Sequence, residues 1–252
     1  LKHSLDMINV MNADGSINSN APENYIGLTR EEAREQVIDD LKKDNCLLKE
    51  EDYLHKVGFS ERGDVPIEYY LSEQWFLKME DLAKPASKAV KDGEINFYPN
   101  HWVKTYDHWM DNIQDWCISR QLYWGHRIPV WYKKDADRTK KENWHVSTAA
   151  PEDIENWEQD TDVLDTWFSS WLWPFAVHNW PEQEKTNYYP TSTLVTGPDI
   201  IFFWVARMIM SGFEFMGEIP FKDVYFTSIL RDEKGRKLSK SLGNSPDPIT
   251  LF

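Results

Sequence analysis

Hydrophobic and polar positions change period several times along the chain, and each change predicts an element. Residues 5–11 are apolar enough to predict a strand, with Ala13-Asp14-Gly15 as the turn after it. Thr29 and Glu32 have the spacing of a capping box, and Ala33, Val37 and Leu41 then share one face of a predicted helix whose Glu31, Glu35, Lys42 and Lys43 stay wet. Residues 50–64 are polar, hold Gly58 and Gly63, and predict a connector. Residues 65–75 are aromatic and β-branched and are expected to be extended. A second helix is predicted from near Pro85 to Asp92-Gly93. A third is predicted over about residues 103–119, where Val103, Tyr106, Met110, Ile113 and Cys117 keep a helical period. Residues 127–132 predict a short strand, and the charged, weakly periodic stretch 133–160 is expected to be an insertion outside the main core.

The last third has the strongest pattern. Asp162-Val163-Leu164 predicts a short strand feeding a helix that begins near Thr166. Leu194-Val195-Thr196 predicts a strand, Gly197-Pro198-Asp199 a tight turn, residues 200–211 a buried helix that includes Trp204, and residues 224–230 another strand. Strand, turn, helix, strand is the repeating unit of a parallel α/β sheet. Such sheets bind ligands outside the carboxyl ends of their strands. Asp165, Thr166, Gly197, Asp199, Thr227 and Ser228 are therefore expected near one rim.

Composition narrows the function classes. The 252 residues allow about 1.7 domains. With 41% hydrophobic and 28% charged residues, the chain can build a core and is not disordered by composition. The longest apolar run, residues 200–210, carries Arg207 and is too short for a transmembrane helix. A start of Leu-Lys-His, with neither Met nor a signal region, leads us to expect an excised piece or a processed product. The balance of 28 basic and 42 acidic residues gives −14, which argues against a generic nucleic-acid binder and makes any local basic patch informative. Cys46 and Cys117 form no Cys-x-x-Cys pair and there is no Asn-x-Ser/Thr sequon, so a reducing cytoplasm is expected. The seven histidines are scattered, with His101 and His108 off ligand spacing, and no metal site is expected. The 13 Trp, 11 Tyr and 12 Phe are read first as a bulky core, ahead of an exposed stacking surface.

One local patch stands against the acidic whole. In residues 231–244, Arg231, Lys234, Arg236, Lys237 and Lys240 face only Asp232 and Glu233. Asp247-Pro248 has the form of an N-cap with proline at the first helical position, which would pin the far end of the loop. Lysines beside the hydroxyls of Ser239 and Ser241 and free backbone N–H groups suit a polyphosphate whose charge grows as a bond breaks. A lysine cluster by itself is more often a solvated turn.

Lys237-Leu238-Ser239-Lys240-Ser241 resembles the Lys-Met-Ser-Lys-Ser signature of class I aminoacyl-tRNA synthetases, with Leu for Met. Residues 116–129, with Trp116, Ile118-Ser119-Arg120-Gln121 and Trp124-Gly125, resemble a block of the valine, isoleucine and leucine branches of that family. Asp162-Val163-Leu164-Asp165-Thr166-Trp167-Phe168-Ser169-Ser170 and residues 196–208 are most similar to the valine branch, and the likeness runs essentially end to end.

The resemblance implies an α/β fold: the second half of a Rossmann-like catalytic domain plus the C-terminal end of an inserted editing domain. Residues 1–60 would be the end of the editing domain and a connector, 61–132 the return into the catalytic domain, 133–160 an insertion, and 161–252 the second half of the catalytic domain. The implied parent activates valine with ATP and Mg2+ to valyl-adenylate and transfers it to tRNA(Val), as a cytoplasmic monomer with no membrane contact. By similarity Lys237 and Lys240 would be catalytic. Gly197, Asp199, Ser239, Lys240 and Ser241 would bind ATP, and Trp124, Asp162, Asp165 and Trp167 would line the amino-acid pocket. Asp165 as a plain helix cap and Trp124 and Trp167 as plain core are the competing readings.

The family's His-x-Gly-His signature is absent, so this stretch alone is expected to be inactive. Zinc-binding cysteines that many bacterial relatives carry are also absent, and no zinc is expected. Pro198 stands where relatives often have an aromatic residue. A synthetase-derived binding module without catalysis and an isoleucine-specific relative are the alternatives.

Overall fold

The computed structural model describes residues 3, 5–60, 63–183, 186–247 and 249. The chain divides into two compact units between Glu73 and Gln74.

In the first unit, α1 (Arg30–Lys43) is the one long element, and its start is the predicted capping box: the Thr29 side chain accepts from the Glu32 N–H while the Glu32 carboxylate accepts from the Thr29 N–H. Its apolar face is only partly covered. Ala33 is buried, but Val37 and Leu41 are each 38% exposed. The strand expected over residues 5–11 is not formed. Met11 makes a single antiparallel bridge to Ile17, and Leu5, Met7 and Ile8 are exposed, because no second strand lies alongside to take up their backbone groups. Residues 65–75 likewise form no strand, and Pro66 makes only an isolated antiparallel bridge to Phe59.

The second unit is built on a parallel sheet. Its strands β2 (Asn96–Tyr98), β9 (Thr191–Thr196) and β10 (Phe221–Phe226) lie in the order β2-β10-β9, both pairings parallel. The α/β expectation for this region therefore holds. Helices α2 (Glu80–Lys91) and α3 (Trp102–Asp111) and the long helical segment after β9 share one core with this sheet. That segment passes from a π-helical turn (Ile201–Val205) through an α-helix (Ala206–Ser211) to a second π-helical turn (Gly212–Met216), and Gly217 ends it in the left-handed conformation. Ala83, Ala86 and Ala89 put the small face of α2 into the core beside Val205, Ala206 and Met210. Trp204 is half-buried, its indole N–H donating to the Ser170 carbonyl at 3.0 Å.

Three local expectations are corrected. Helix α2 begins at Glu80 and carries Pro85 inside it, because the buried stripe already starts at Met79 and Ala83. Helix α3 stops at Asp111. The remaining residues enter two short strands, β3 (Trp116–Cys117) paired with β1 (Phe76–Leu77), and β4 (Ser119–Arg120) paired with β8 (Val163–Leu164). The last strand ends at Phe226 rather than at residue 230.

Residues 133–160 supply β6 (Trp144–Val146) and β7 (Trp157–Gln159), which flank β5 (Val130–Lys133) in an antiparallel sheet. This sheet has its own small core of Ile128, Val130 and Tyr132, with Trp75, Trp144 and Leu164 packed on it. Among the described residues no helix is long and apolar enough to cross a membrane.

Candidate active site

Strands β9 and β10 end side by side, and the Thr227 N–H donates to the Thr196 carbonyl at 2.9 Å. The chain leaving β9 turns at Gly197 into a short 3-10 turn (Pro198–Ile200). A Cβ on residue 197 would lie 2.5 Å from Asp199 Oδ1 and 3.2 Å from Ile229 Cδ1, so a side chain here would displace the Asp199 carboxylate from its present position. Asp199 points outward, and Lys237 Nζ reaches it at 2.6 Å.

The cationic loop after β10 has internal order. Leu238 N–H donates to the Leu230 carbonyl at 3.1 Å and Arg231 bridges Lys237, so the loop folds back on itself around Gly235, whose φ of +75° favours glycine. Asp232 is its hub. Its carboxylate accepts from the Lys234 and Arg236 backbone N–H groups at 3.0 and 2.9 Å, from Arg236 Nε at 2.8 Å and from Asn244 Nδ2 at 3.0 Å. The Asn244 hydrogen bond, followed by that of the Arg236 N–H, holds the Asp232 carboxyl below the usual carboxylate range. Asn244 Oδ1 in turn accepts from the Ser239 N–H at 2.9 Å, and the Ser239 and Ser241 hydroxyls share a hydrogen bond at 2.7 Å. Lys240 is exposed and has no ion-pair partner among the described residues. At the far end, Asp247 Oδ1 accepts from the Ile249 N–H at 3.0 Å, whereas Pro248, the expected first helical residue, lies outside the described residues.

A second set of residues lines a cleft of about 480 Å³. Asp165, 4% exposed, caps the helix α4 (Thr166–Ser170) through Oδ1 to the Trp167 N–H at 2.9 Å. Its Oδ2 accepts from the Trp116 indole at 3.0 Å and from Arg120 at 2.5 Å, with Arg207 at 3.9 Å. Trp167 stacks on Phe203 with centroids 5.7 Å apart.

The structure therefore places Gly197, Asp199 and Lys237 together, with Lys240, Ser239 and Ser241 on the same loop, and places Asp165 with Trp167 in the cleft. It does not bring Asp162 or Trp124 into that cleft. Asp162 accepts from Gln121 Nε2 at 2.6 Å, and Trp124 is 88% exposed, which excludes the plain-core reading for Trp124. Asp165 caps a helix and carries an ion pair at once. The sequence reading missed Arg207, although a guanidinium inside an apolar run signals a charge that must find a partner once buried. Among the described residues no group of three or more His, Cys, Asp or Glu is disposed to hold a metal ion.

The site is thus a lysine loop seated on the Asp199 turn at the carboxyl rim of a parallel sheet. The family model for class I tRNA synthetases (I, L, M and V) matches residues 4–252, and the chain belongs to that family. Valine–tRNA ligase of Chlorobaculum tepidum is 55% identical over 260 residues, covering 100% of this chain and 28% of that protein. Valine–tRNA ligase of Bacillus subtilis is 55% identical over 255 residues with the same coverage, so the chain spans 28% of the length of these curated relatives. Among solved structures, Mycobacterium tuberculosis methionyl-tRNA synthetase in complex with methionyl-adenylate shares the fold, with a TM-score of 0.53 and 18% identity over 77% of this chain and 33% of that one.

Proposed function

We propose that the chain is the part of a valine–tRNA ligase that supplies the second half of the catalytic domain, residues 161–252, together with the end of the editing domain in residues 1–60. Residues 61–132 return between them and 133–160 form an insertion. The observation that carries the reading is the 2.6 Å contact between Lys237 and Asp199 at the carboxyl ends of two parallel strands. It sets a loop of cations over a turn at Gly197 where a side chain would push against Asp199.

In the proposed reaction the valine carboxylate oxygen bonds to the α-phosphorus of ATP, the bond to pyrophosphate breaks, and valyl-adenylate is later consumed by tRNA(Val). Gly197 lets the nucleotide ribose approach the backbone, and Asp199 accepts from its hydroxyls. Lys237 and Lys240 meet the negative charge that accumulates on the departing pyrophosphate, a contact stronger in the transition state than with bound ATP. Ser239 and Ser241 offer hydroxyl donors to the same oxygens. Asp165 and Trp167 wall the amino-acid pocket; Asp162 and Trp124 lie outside that cleft and are assigned no role in it. Mg2+ enters as part of the ATP substrate. No zinc is assigned. The parent is read as a cytoplasmic monomer.

The test is valine-dependent ATP–pyrophosphate exchange by the full-length protein. Exchange with valine and far weaker exchange with isoleucine supports the reading, and the reverse preference overturns it. Residues 1–252 alone are expected to give no exchange, because positioning needs both halves of the site; exchange at the full-length rate would contradict that.

A further inference from the structure

Arg207 is the most deeply buried cation described, 8% exposed in the middle of the core helix. Burial lowers its pKa to about 10, still above neutral pH, so it remains charged. Its guanidinium lies over the Trp116 ring, 3.5 Å from the centroid, and Nε and Nη1 make no hydrogen bond. The π face of Trp116 and the Asp165 carboxylate at 3.9 Å are what compensate that charge.

Four residues earlier on the same helix, Phe203 stacks on Trp167. Trp167 is thereby held at two points that both lead back to Arg207. Its ring rests on Phe203, and its N–H is fixed by the carboxylate that Arg207 faces. Arg120 holds the same carboxylate from the exposed side.

We propose that Arg207 is a positioning residue that fixes the Trp116–Asp165–Trp167 wall of the cleft and so sets the affinity for the amino acid rather than for the nucleotide. The inference rests on the proposed valine-activating function. Lys237, Asp199 and Gly197 are not among its contacts, so the nucleotide side is expected to be insensitive to it.

The experiment is valine-dependent pyrophosphate exchange in the full-length protein for the wild type, Arg207→Met, Arg207→Lys and Phe203→Leu. Arg207→Met is expected to raise KM for valine about tenfold or more, the scale of one lost desolvated cation–π contact, with KM for ATP changed less than about twofold. Arg207→Lys should recover part of the valine KM, since a lysine ammonium can also sit over the Trp116 face. Phe203→Leu keeps the charge and the closer Trp116 contact and loses the stack on Trp167 and the longer cation–π contact at 6.0 Å, so it should raise KM for valine by less. The inference is overturned if the two KM values rise together, if neither moves, or, should Arg207→Met not fold, if Arg207→Lys and Phe203→Leu leave KM for valine unchanged. Absence of valine-dependent exchange in the wild type is a different result: it overturns the underlying function, and the inference with it.

Discussion

Asp165 shows how much one side chain can be asked to do. A single buried carboxylate caps a helix, receives an indole N–H and faces two guanidinium groups. Removing it by Asp165→Ala leaves Arg207 buried without its counter-charge, and that class of change costs about 3–5 kcal/mol. The expected outcome in the full-length protein is a marked fall in the urea midpoint, and an unchanged midpoint would show that the pairs contribute little. Gly197 is a different case, decided by space. Gly197→Ala places a methyl group 2.5 Å from the Asp199 carboxylate and must turn that side chain away. The expected result is a rise of about tenfold or more in KM for ATP, given how steeply rates and affinities fall with small misplacements, with KM for valine nearly unchanged. Lys237, Asp199 and Asp165 were legible in the sequence because each sits in a local pattern of charge, turn residue or cap. The partnership of Arg207 with Trp116 and Asp165 was not, because it joins segments about ninety and forty positions apart that only tertiary packing brings together.

At the scale of elements, what could be read in advance follows how local the cause is. Helix α1 was legible because its capping box lies within four residues. Of the parallel sheet, β9 was legible because its run of Thr and Val ends at Gly197-Pro198, β10 was placed to start three residues late and end four late, and β2 was not predicted. The short strands β3 and β4 do not continue the helix that the spacing of Ile113 and Cys117 predicts, because their hydrogen bonds are supplied by β1 and by β8. The strand expected in residues 5–11 failed for the opposite reason: apolar residues were present, and pairing among the described residues stops at the single bridge of Met11 to Ile17. The first unit buries only Ala33 among its described residues and exposes Leu48, Tyr53, Leu54 and Tyr69. Such a unit lacks the core that independent stability requires. Residues 1–73 expressed alone are expected to show no cooperative thermal transition by near-ultraviolet circular dichroism. A sharp two-state transition would contradict this.

For the whole molecule, net charge and function pull apart. A chain carrying −14 is proposed to bind a polyphosphate and an RNA, and the means is concentration of cations in one loop at one rim. The loop is held in shape by Asp232 and Asn244, leaves Lys240 unpaired among the described residues, and parks Lys237 on Asp199. Nucleotide binding would exchange that ion pair for contacts with ribose and phosphate. The most direct measurement is rapid-quench kinetics of valyl-adenylate formation in the full-length protein, comparing Lys240→Ala with the wild type alongside equilibrium binding of valine. Loss of a group whose contact is stronger in the transition state than with bound ATP predicts a rate lower by about a hundredfold or more, with the dissociation constant for valine changed less than about twofold. An unchanged rate, or a loss shared equally between rate and valine binding, would contradict the role given to the loop.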